Sequence, residues 1–173
     1  KRQLWQDEII ANLPNKEHLK ILDVGCGPGF FSVILSSLGH DVIGIDLTES
    51  MIQKADEIAD ILDYDIDFRV MNAQELDFDD EEFDVVISRN LTWTLPDIEK
   101  AYKEWYRVLK KDGVLLNFDA DYGKVSLKEE MKSLGEEHSH NMMDSSLVKE
   151  CDDIKQELEI SKRRRPMWDG KFL

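Results

Sequence analysis

Ile21-Leu22-Asp23-Val24-Gly25-Cys26-Gly27-Pro28-Gly29-Phe30-Phe31-Ser32 is the stretch that decides how this chain folds. It reads as an apolar strand, a turn with glycine at positions 25, 27 and 29, and the first turn of a helix. Glycine permits positive φ and close backbone approach, so a ligand lying over such a turn can touch main-chain atoms. The register is G-x-G-x-G, with Asp23 just ahead of it. The dinucleotide fingerprint is G-x-G-x-x-G, with pyrophosphate at the helix N-terminus. Its last glycine would fall where this chain has Phe30, and Asp23 would bring a negative charge towards a diphosphate. A cationic ligand without phosphate suits this turn better.

Outward from the turn, strands and helices alternate. Residues 2–13 suit a short amphipathic helix that Pro14 stops. The spacing predicts strands at 20–24, 41–45, 66–71, 83–88 and 114–119. It predicts helices at 29–37, closed by Gly39, and from a Thr48 N-cap through Met51, Ala55 and Ile58 towards Leu62. A further helix over 97–110 has Gly113 as its C′ residue. The strands are near-continuous apolar runs, which suit a parallel sheet covered on both faces. The expected fold is α/β: a doubly wound, mainly parallel, Rossmann-like sheet. Past Asp121 the character changes. Residues 126–137 and 145–160 read as charged helices, and Lys162-Arg163-Arg164-Arg165-Pro166 follows. The domain reading is a cofactor-binding domain over 1–122 and a charged helical segment over 123–173, on the substrate side or at a truncated end.

Composition bounds the partners. The 173 residues fit one domain, and 42% hydrophobic content supports a globular chain. There are 22 basic and 37 acidic residues, for a net charge of −15. Such a chain repels a phosphate backbone, which argues against duplex nucleic acid as a partner. Thirteen carboxylates and one basic residue, Arg69, lie between Asp56 and Asp84. They read as a solvated face, with a docking surface for a basic partner as the alternative. Cys26 and Cys151 have no metal-type spacing and suit a reduced, cytoplasmic protein. His138 and His140 lack the further ligands a structural metal needs, so no metal is expected. No apolar run of about 18 residues is present, so no membrane span is expected. The chain opens on Lys1, which implies a start inside a longer product or after a removed tag.

Four features fall at the carboxyl ends of the predicted strands, where a doubly wound sheet holds its ligand. The glycine turn follows strand one. Asp46 ends strand two, 21 residues after Gly25, where a carboxylate can accept from both hydroxyls of a ribose. Asn72-Ala73-Gln74 follows strand three, and the Asn72 amide can bond an adenine edge. Ser88-Arg89-Asn90 follows strand four, with Trp93 close behind. S-adenosyl-L-methionine matches this set, with a sulfonium, an ammonium, a ribose and an adenine but no phosphate.

Together these stretches resemble the class I S-adenosylmethionine-dependent methyltransferases, in particular the small-molecule type called methyltransferase domain 11 or 25. ILDVGCGPG is similar to that family's first motif and IGIDLTESM to its second. NAQELDF is similar to its D-A-x-x-L-P-F stretch and WYRVLKKDGVLLNFD to its R-V-L-K-P-G-G segment. The resemblance covers roughly Trp5 to Asp121. It implies that Asp23 lies near the methionine amino group and that Gly25, Cys26, Gly27 and Gly29 lie under the sugar and methionine. It also implies that Leu47 and Met51 flank the adenine, and that the Ser88-Arg89 end of strand four faces the methionine ammonium. Asn72 replaces the family's aspartate, and Lys111-Asp112 replaces Pro-Gly. The antiparallel strand pair that usually follows strand five is missing from the reading. A truncated chain, or an edge covered by the C-terminal helices or by a second copy, would account for that.

The implied activity is methyl transfer to a small or medium-sized molecule. No general base stands out. Asn90, Trp93, Asp119 and Asp121 are candidates for the substrate side, although Trp93 reads first as packing because large aromatics are usually core. Strand four lacks the Asn/Asp-Pro-Pro-Tyr/Phe signature of amino-methylating DNA enzymes. The alternatives are a nicotinamide-dependent oxidoreductase, disfavoured by Phe30 and Asp23, and a catalytically inactive cofactor-binding regulatory module.

Overall fold

A computed structural model describes residues 2–119, 145–162 and 169. The elements run α1 (Arg2–Asn12), β1 (Lys20–Val24), α2 (Phe30–Ser37), β2 (Asp41–Asp46), α3 (Glu49–Leu62), β3 (Asp67–Val70) and β4 (Phe83–Arg89). A 3-10 turn (Thr92–Thr94), α4 (Ile98–Val108), β5 (Leu109–Phe118), α5 (Ser145–Glu157) and a last 3-10 turn (Glu159–Lys162) follow. The chain divides into two compact units, Lys1–Leu91 with Asp97–Phe118, and Thr92–Pro96 with Asp119–Leu173.

The five strands form one sheet in the order β3-β2-β1-β4-β5, and every ladder is parallel. This is the doubly wound α/β sheet that the alternating pattern predicts. No antiparallel strand occurs among the described residues. The chain steps outward from β1 through β2 to β3, crosses to β4 beside β1, and then steps the other way to β5. Right-handed crossovers therefore put α2 and α3 on one face and α4 on the other. The reversal lies between β1 and β4, where such a sheet leaves a ligand crevice at its carboxyl end.

Apolar packing follows the same division. Ile9 of α1 and Phe31, Ile34 and Leu35 of α2 cover Ile21, Val42, Val85 and Ile87. On α4, Tyr102, Trp105 and Val108 are buried, with the two rings edge-to-face at 5.4 Å. Each such side chain contributes about 1.5–3 kcal/mol by leaving water. At the amino end of the sheet, Asp84 accepts from the Lys16 ammonium at 3.0 Å, the Lys20 amide at 3.0 Å and the Lys110 ammonium at 2.9 Å. Burial raises its pKa, but these donors outweigh burial and hold it at about 2.

Some element ends differ from the sequence expectation. α4 stops at Val108, because Leu109 is already extended (φ −80°, ψ 133°) and pairs with Phe83. The register then jumps to Val85↔Val114, so residues 110–113 form a bulge inside β5. Gly113 is thus no helix C′ residue. Its role is close packing, since a Cβ there would meet Leu109 Cδ1 at 2.7 Å and the Lys110 carbonyl at 2.9 Å. Burial of Leu109 in the sheet outcompetes another half-turn of helix. The second charged helix is present as α5, whereas the one expected over 126–137 lies outside the described residues. Asp121, His138, His140 and Arg163–Arg165 lie outside them too. No helix among the described residues is long and apolar enough to cross a membrane.

Candidate functional site

The glycine turn is fastened to the neighbouring strand. The backbone N–H groups of Gly25 and Cys26 both donate to the Ile45 carbonyl, at 2.8 and 2.9 Å. Gly25, Gly27 and Gly29 have φ of +69°, +53° and +79°, a region costly for any residue with a Cβ. They need glycine for different reasons. A Cβ at Gly25 would strike the Leu91 side chain at 2.8 Å, and one at Gly29 would strike Phe68 at 2.9 Å. A Cβ at Gly27 would meet no atom of the described residues within 4 Å. The first and last glycines let protein pack on the turn, while the middle one borders open space.

Asp46 lies beside that space. Its Oδ2 accepts from the Gly27 N–H at 3.0 Å and its Oδ1 from the Thr48 N–H at 2.9 Å. These bonds fix the carboxylate plane, and each oxygen keeps a lone pair. Thr48, at the N-cap position of α3, makes no side-chain cap bond. Leu47 is 70% exposed at the same strand end and Met51 is half-buried, so apolar surface flanks the carboxylate.

Asp23 is buried under the first turn of α2. Its Oδ2 accepts from the Ser32 hydroxyl at 2.6 Å. Burial raises the carboxyl pKa to about 6, against the pull of the Ser32 hydroxyl and N–H and of the Arg89 charge. Gly44 makes the approach feasible, since a Cβ there would lie 3.0 Å from Ser32 Oγ and 2.6 Å from Phe68. Burial also pushes the Cys26 thiol well up, with Asp23 and Asp46 acting in the same direction. Cys26 is a small buried filler of the turn, its thiol held protonated by burial.

The remaining candidates are engaged more locally. Asn72 Oδ1 accepts from the Gln74 N–H at 3.0 Å, which closes an Asx turn. The Ala73 carbonyl accepts from Trp105 Nε1 at 2.9 Å, and Gln74 Oε1 accepts from the Asp97 N–H at 2.7 Å. Ser88 is fully buried and donates to the Val24 carbonyl at 3.0 Å, tying β4 to β1. Arg89 ends β4 half-buried, its guanidinium over aromatic rings. Asn90 turns the chain at φ +55°, with its N–H on the Phe118 carbonyl. In the second unit, Asp119 accepts from the Thr92 hydroxyl and from the Trp93 N–H, which brings Trp93 and Asp119 together.

Sequence reading misses four supporting residues: Ser32, Leu91, Phe68 and Trp105. A serine in the apolar run Phe30-Phe31-Ser32-Val33-Ile34-Leu35 and a glycine inside β2 are signals that could have found Ser32 and Phe68. Leu91 and Trp105 give no such signal, because their partners are main-chain atoms of remote loops.

The crevice thus offers an open backbone cradle, an oriented carboxylate, a buried second carboxylate and a cation within one strand end of each other. That set can hold a polar, net-cationic nucleoside. A family model described as a methyltransferase domain matches residues 22–117. The chain is 38% identical over 119 residues to the ubiquinone/menaquinone biosynthesis C-methyltransferase UbiE of Rickettsia prowazekii, covering 64% of this chain and 48% of that protein. It is 33% identical over 99 residues to the ubiquinone biosynthesis O-methyltransferase of Pelagibacter ubique, covering 57% of this chain and 41% of that protein. The crystal structure of the YcgJ protein from Bacillus subtilis superposes with a TM-score of 0.64 at 28% identity, over 68% of this chain and 50% of that one. The chain spans about half the length of the curated relatives it matches. A matching domain model over more than half the chain, on a sheet wound in this order around this glycine turn, shows that the chain belongs to the class I S-adenosylmethionine-dependent methyltransferase family.

Proposed function

We propose that this chain binds S-adenosyl-L-methionine across the carboxyl ends of β1, β2 and β4, and serves methyl transfer to a small or medium-sized molecule. The observation that carries this reading is the open wall at Gly27 beside the Asp46 carboxylate. A ribose laid there meets main chain below and two lone pairs alongside. Leu47 and Met51 would flank the adenine, and the Asn72 NH2 group would donate to a ring nitrogen. Ala73 and Gln74 would shape that loop, with Trp105 and Asp97 behind them. Asp23 would face the ammonium, and Gly25, Cys26 and Gly29 would form the floor. Ser88 would act by holding β4 against β1.

When bound, the cofactor supplies an electrophilic methyl group on a sulfonium. The residues above orient it and exclude water, and orientation alone can supply about 7–11 kcal/mol of a barrier. A base is needed only where the acceptor loses a proton. The matched relatives carry C-methyltransferase and O-methyltransferase in their names, so likeness leaves the acceptor atom open. Asn90, Trp93, Asp119 and Asp121 are our assignments to the acceptor side. The same reading includes a cytoplasmic setting in which Cys26 stays a thiol, no duplex nucleic acid, and a second copy of the chain at the β5 edge.

Calorimetry with S-adenosylhomocysteine and with NAD tests the cofactor. Binding of the first alone is expected, and Asp46→Ala should weaken it by about tenfold or more. Binding of NAD without S-adenosylhomocysteine would overturn the reading. A labelled-methyl screen of metabolite pools with the full-length protein tests the acceptor class.

A further inference from the structure

Resting on the cofactor reading above, we infer that Asn72 is a specificity-determining residue that departs from the family pattern. It makes this site read a ring acceptor of the bound purine and pass over the exocyclic amine.

The inference starts from how the Asn72 amide is oriented. An asparagine side chain offers one acceptor oxygen and one NH2 donor, and its neighbours decide which way each points. Asn72 Oδ1 accepts from the Gln74 backbone N–H at 3.0 Å, which the amide nitrogen could not do. It also takes a weaker second contact from Gln74 Nε2 at 3.5 Å. The Gln74 amide has its own orientation fixed, because its Oε1 accepts from the Asp97 N–H at 2.7 Å. Asp97 is in turn the N-cap of α4, its Oδ1 accepting from the Lys100 N–H at 3.0 Å. A chain of hydrogen bonds therefore runs from the start of α4 to Asn72 and commits the amide oxygen to the protein. The NH2 group of Asn72 meets no acceptor among the described residues.

The surrounding turn keeps this orientation. The Asn72 carbonyl accepts from the Glu75 N–H at 3.0 Å, and the Ala73 carbonyl accepts from Trp105 Nε1 at 2.9 Å. Arg107 donates to the Leu76 and Phe78 carbonyls at 2.9 and 2.8 Å, and Glu104 accepts from the Leu76 N–H at 2.9 Å. With its backbone pinned to α4, the turn cannot reverse the Asn72 amide without leaving the Gln74 N–H unpaired. The Met71 N–H on the Asp46 carbonyl, at 3.0 Å, sets half-buried Asn72 just past the strand end that carries the Asp46 carboxylate. A purine on a ribose held by Asp46 comes to this end of the sheet. The unsubstituted ring nitrogens of adenine accept from an NH2 group, whereas its exocyclic amine is a second donor, and two facing donors gain nothing. The aspartate of the family pattern would keep one oxygen on the Gln74 N–H and offer the other to that amine as a charged acceptor.

The test uses the whole chain, wild type and Asn72→Asp, titrated calorimetrically with two probes. One is S-adenosylhomocysteine. The other is its 6-deamino analogue, in which purine replaces adenine and every ring nitrogen is kept. The wild type should bind the two within about threefold of each other, and Asn72→Asp should prefer S-adenosylhomocysteine by about tenfold or more. A carboxylate still closes the turn on the Gln74 N–H, and thermal melts check that the variant is folded. Asn72→Ala, which removes the donor, should weaken both probes alike. A larger wild-type preference for the amine would overturn the inference, as would an Asn72→Asp preference no greater than that of the wild type. A loss in Asn72→Ala confined to S-adenosylhomocysteine would overturn it too. If the wild type bound neither probe, the cofactor reading would fall and this inference with it.

Discussion

Ser32 Oγ donates to Asp23 Oδ2 at 2.6 Å, joining the first turn of α2 to the last residues of β1 across the glycine turn. Gly29 is the N-cap of α2 and has no side chain to offer the helix. Asp23 supplies the negative charge that the helix N-terminus favours. The bond therefore holds the two walls of the crevice at a fixed separation. Ser32→Ala should cost about 1–3 kcal/mol at pH 7.5, since a buried carboxylate loses a donor. Urea denaturation at pH 7.5 and pH 5 checks this, and the deficit should shrink at pH 5, where Asp23 is protonated.

The raised pKa of Asp23 makes a stability prediction of unusual sign. The folded carboxyl holds its proton up to about pH 6, against an ordinary value of 3.8. The folded state therefore binds more protons than the unfolded state between these values, and stability falls as pH rises through that window. Asp23→Asn should remove this slope, worth at most about 3 kcal/mol. Affinity for S-adenosylhomocysteine should run the other way. Its ammonium needs the ionised carboxylate, so binding should weaken as pH falls below about 6. Denaturation and calorimetry from pH 4.5 to 7.5 give both slopes, and parallel slopes would remove Asp23 from the ligand.

Two glycine substitutions should separate binding from folding. Gly27→Ala puts a methyl into open space at φ +53°. Its fold cost should be about 1–2 kcal/mol from left-handed strain alone, while S-adenosylhomocysteine affinity falls by about tenfold or more. Gly29→Ala adds a clash, because the new methyl meets Phe68 at 2.9 Å and Ala55 at 3.3 Å. It should lower Tm further than Gly27→Ala. Thermal melts paired with calorimetry distinguish the two.

At the far end of the sheet, Asp84 should govern acid stability. Its pKa of about 2 lies below the ordinary 3.8, so its stabilisation is present above about pH 4 and lost as pH falls towards 2. Asp84→Asn should cost about 2–3 kcal/mol at pH 7 and little at pH 2. Ligand affinity should stay unchanged, because this clamp joins Lys16, Lys20 and Lys110 at the amino ends of β1 and β5.

Sequence alone carried the sheet, the glycine turn and Asp46, for a physical reason. Strand and helix periods, glycine spacing and the interval from Gly25 to Asp46 are local quantities, each set within a few residues of backbone geometry. A parallel sheet with strands buried on both faces leaves few other windings for such a pattern. What only the tertiary structure decided are the partnerships between remote groups. Ser32 reaches Asp23 because Gly44 leaves room, and Trp105 caps the Ala73 carbonyl from another helix. Arg89 ends β4 with its guanidinium over rings that α1 and α2 supply. β5 overrules the end of α4 because Leu109 finds Phe83. Each of these depends on burial and distance across the fold, which no local pattern of residues encodes.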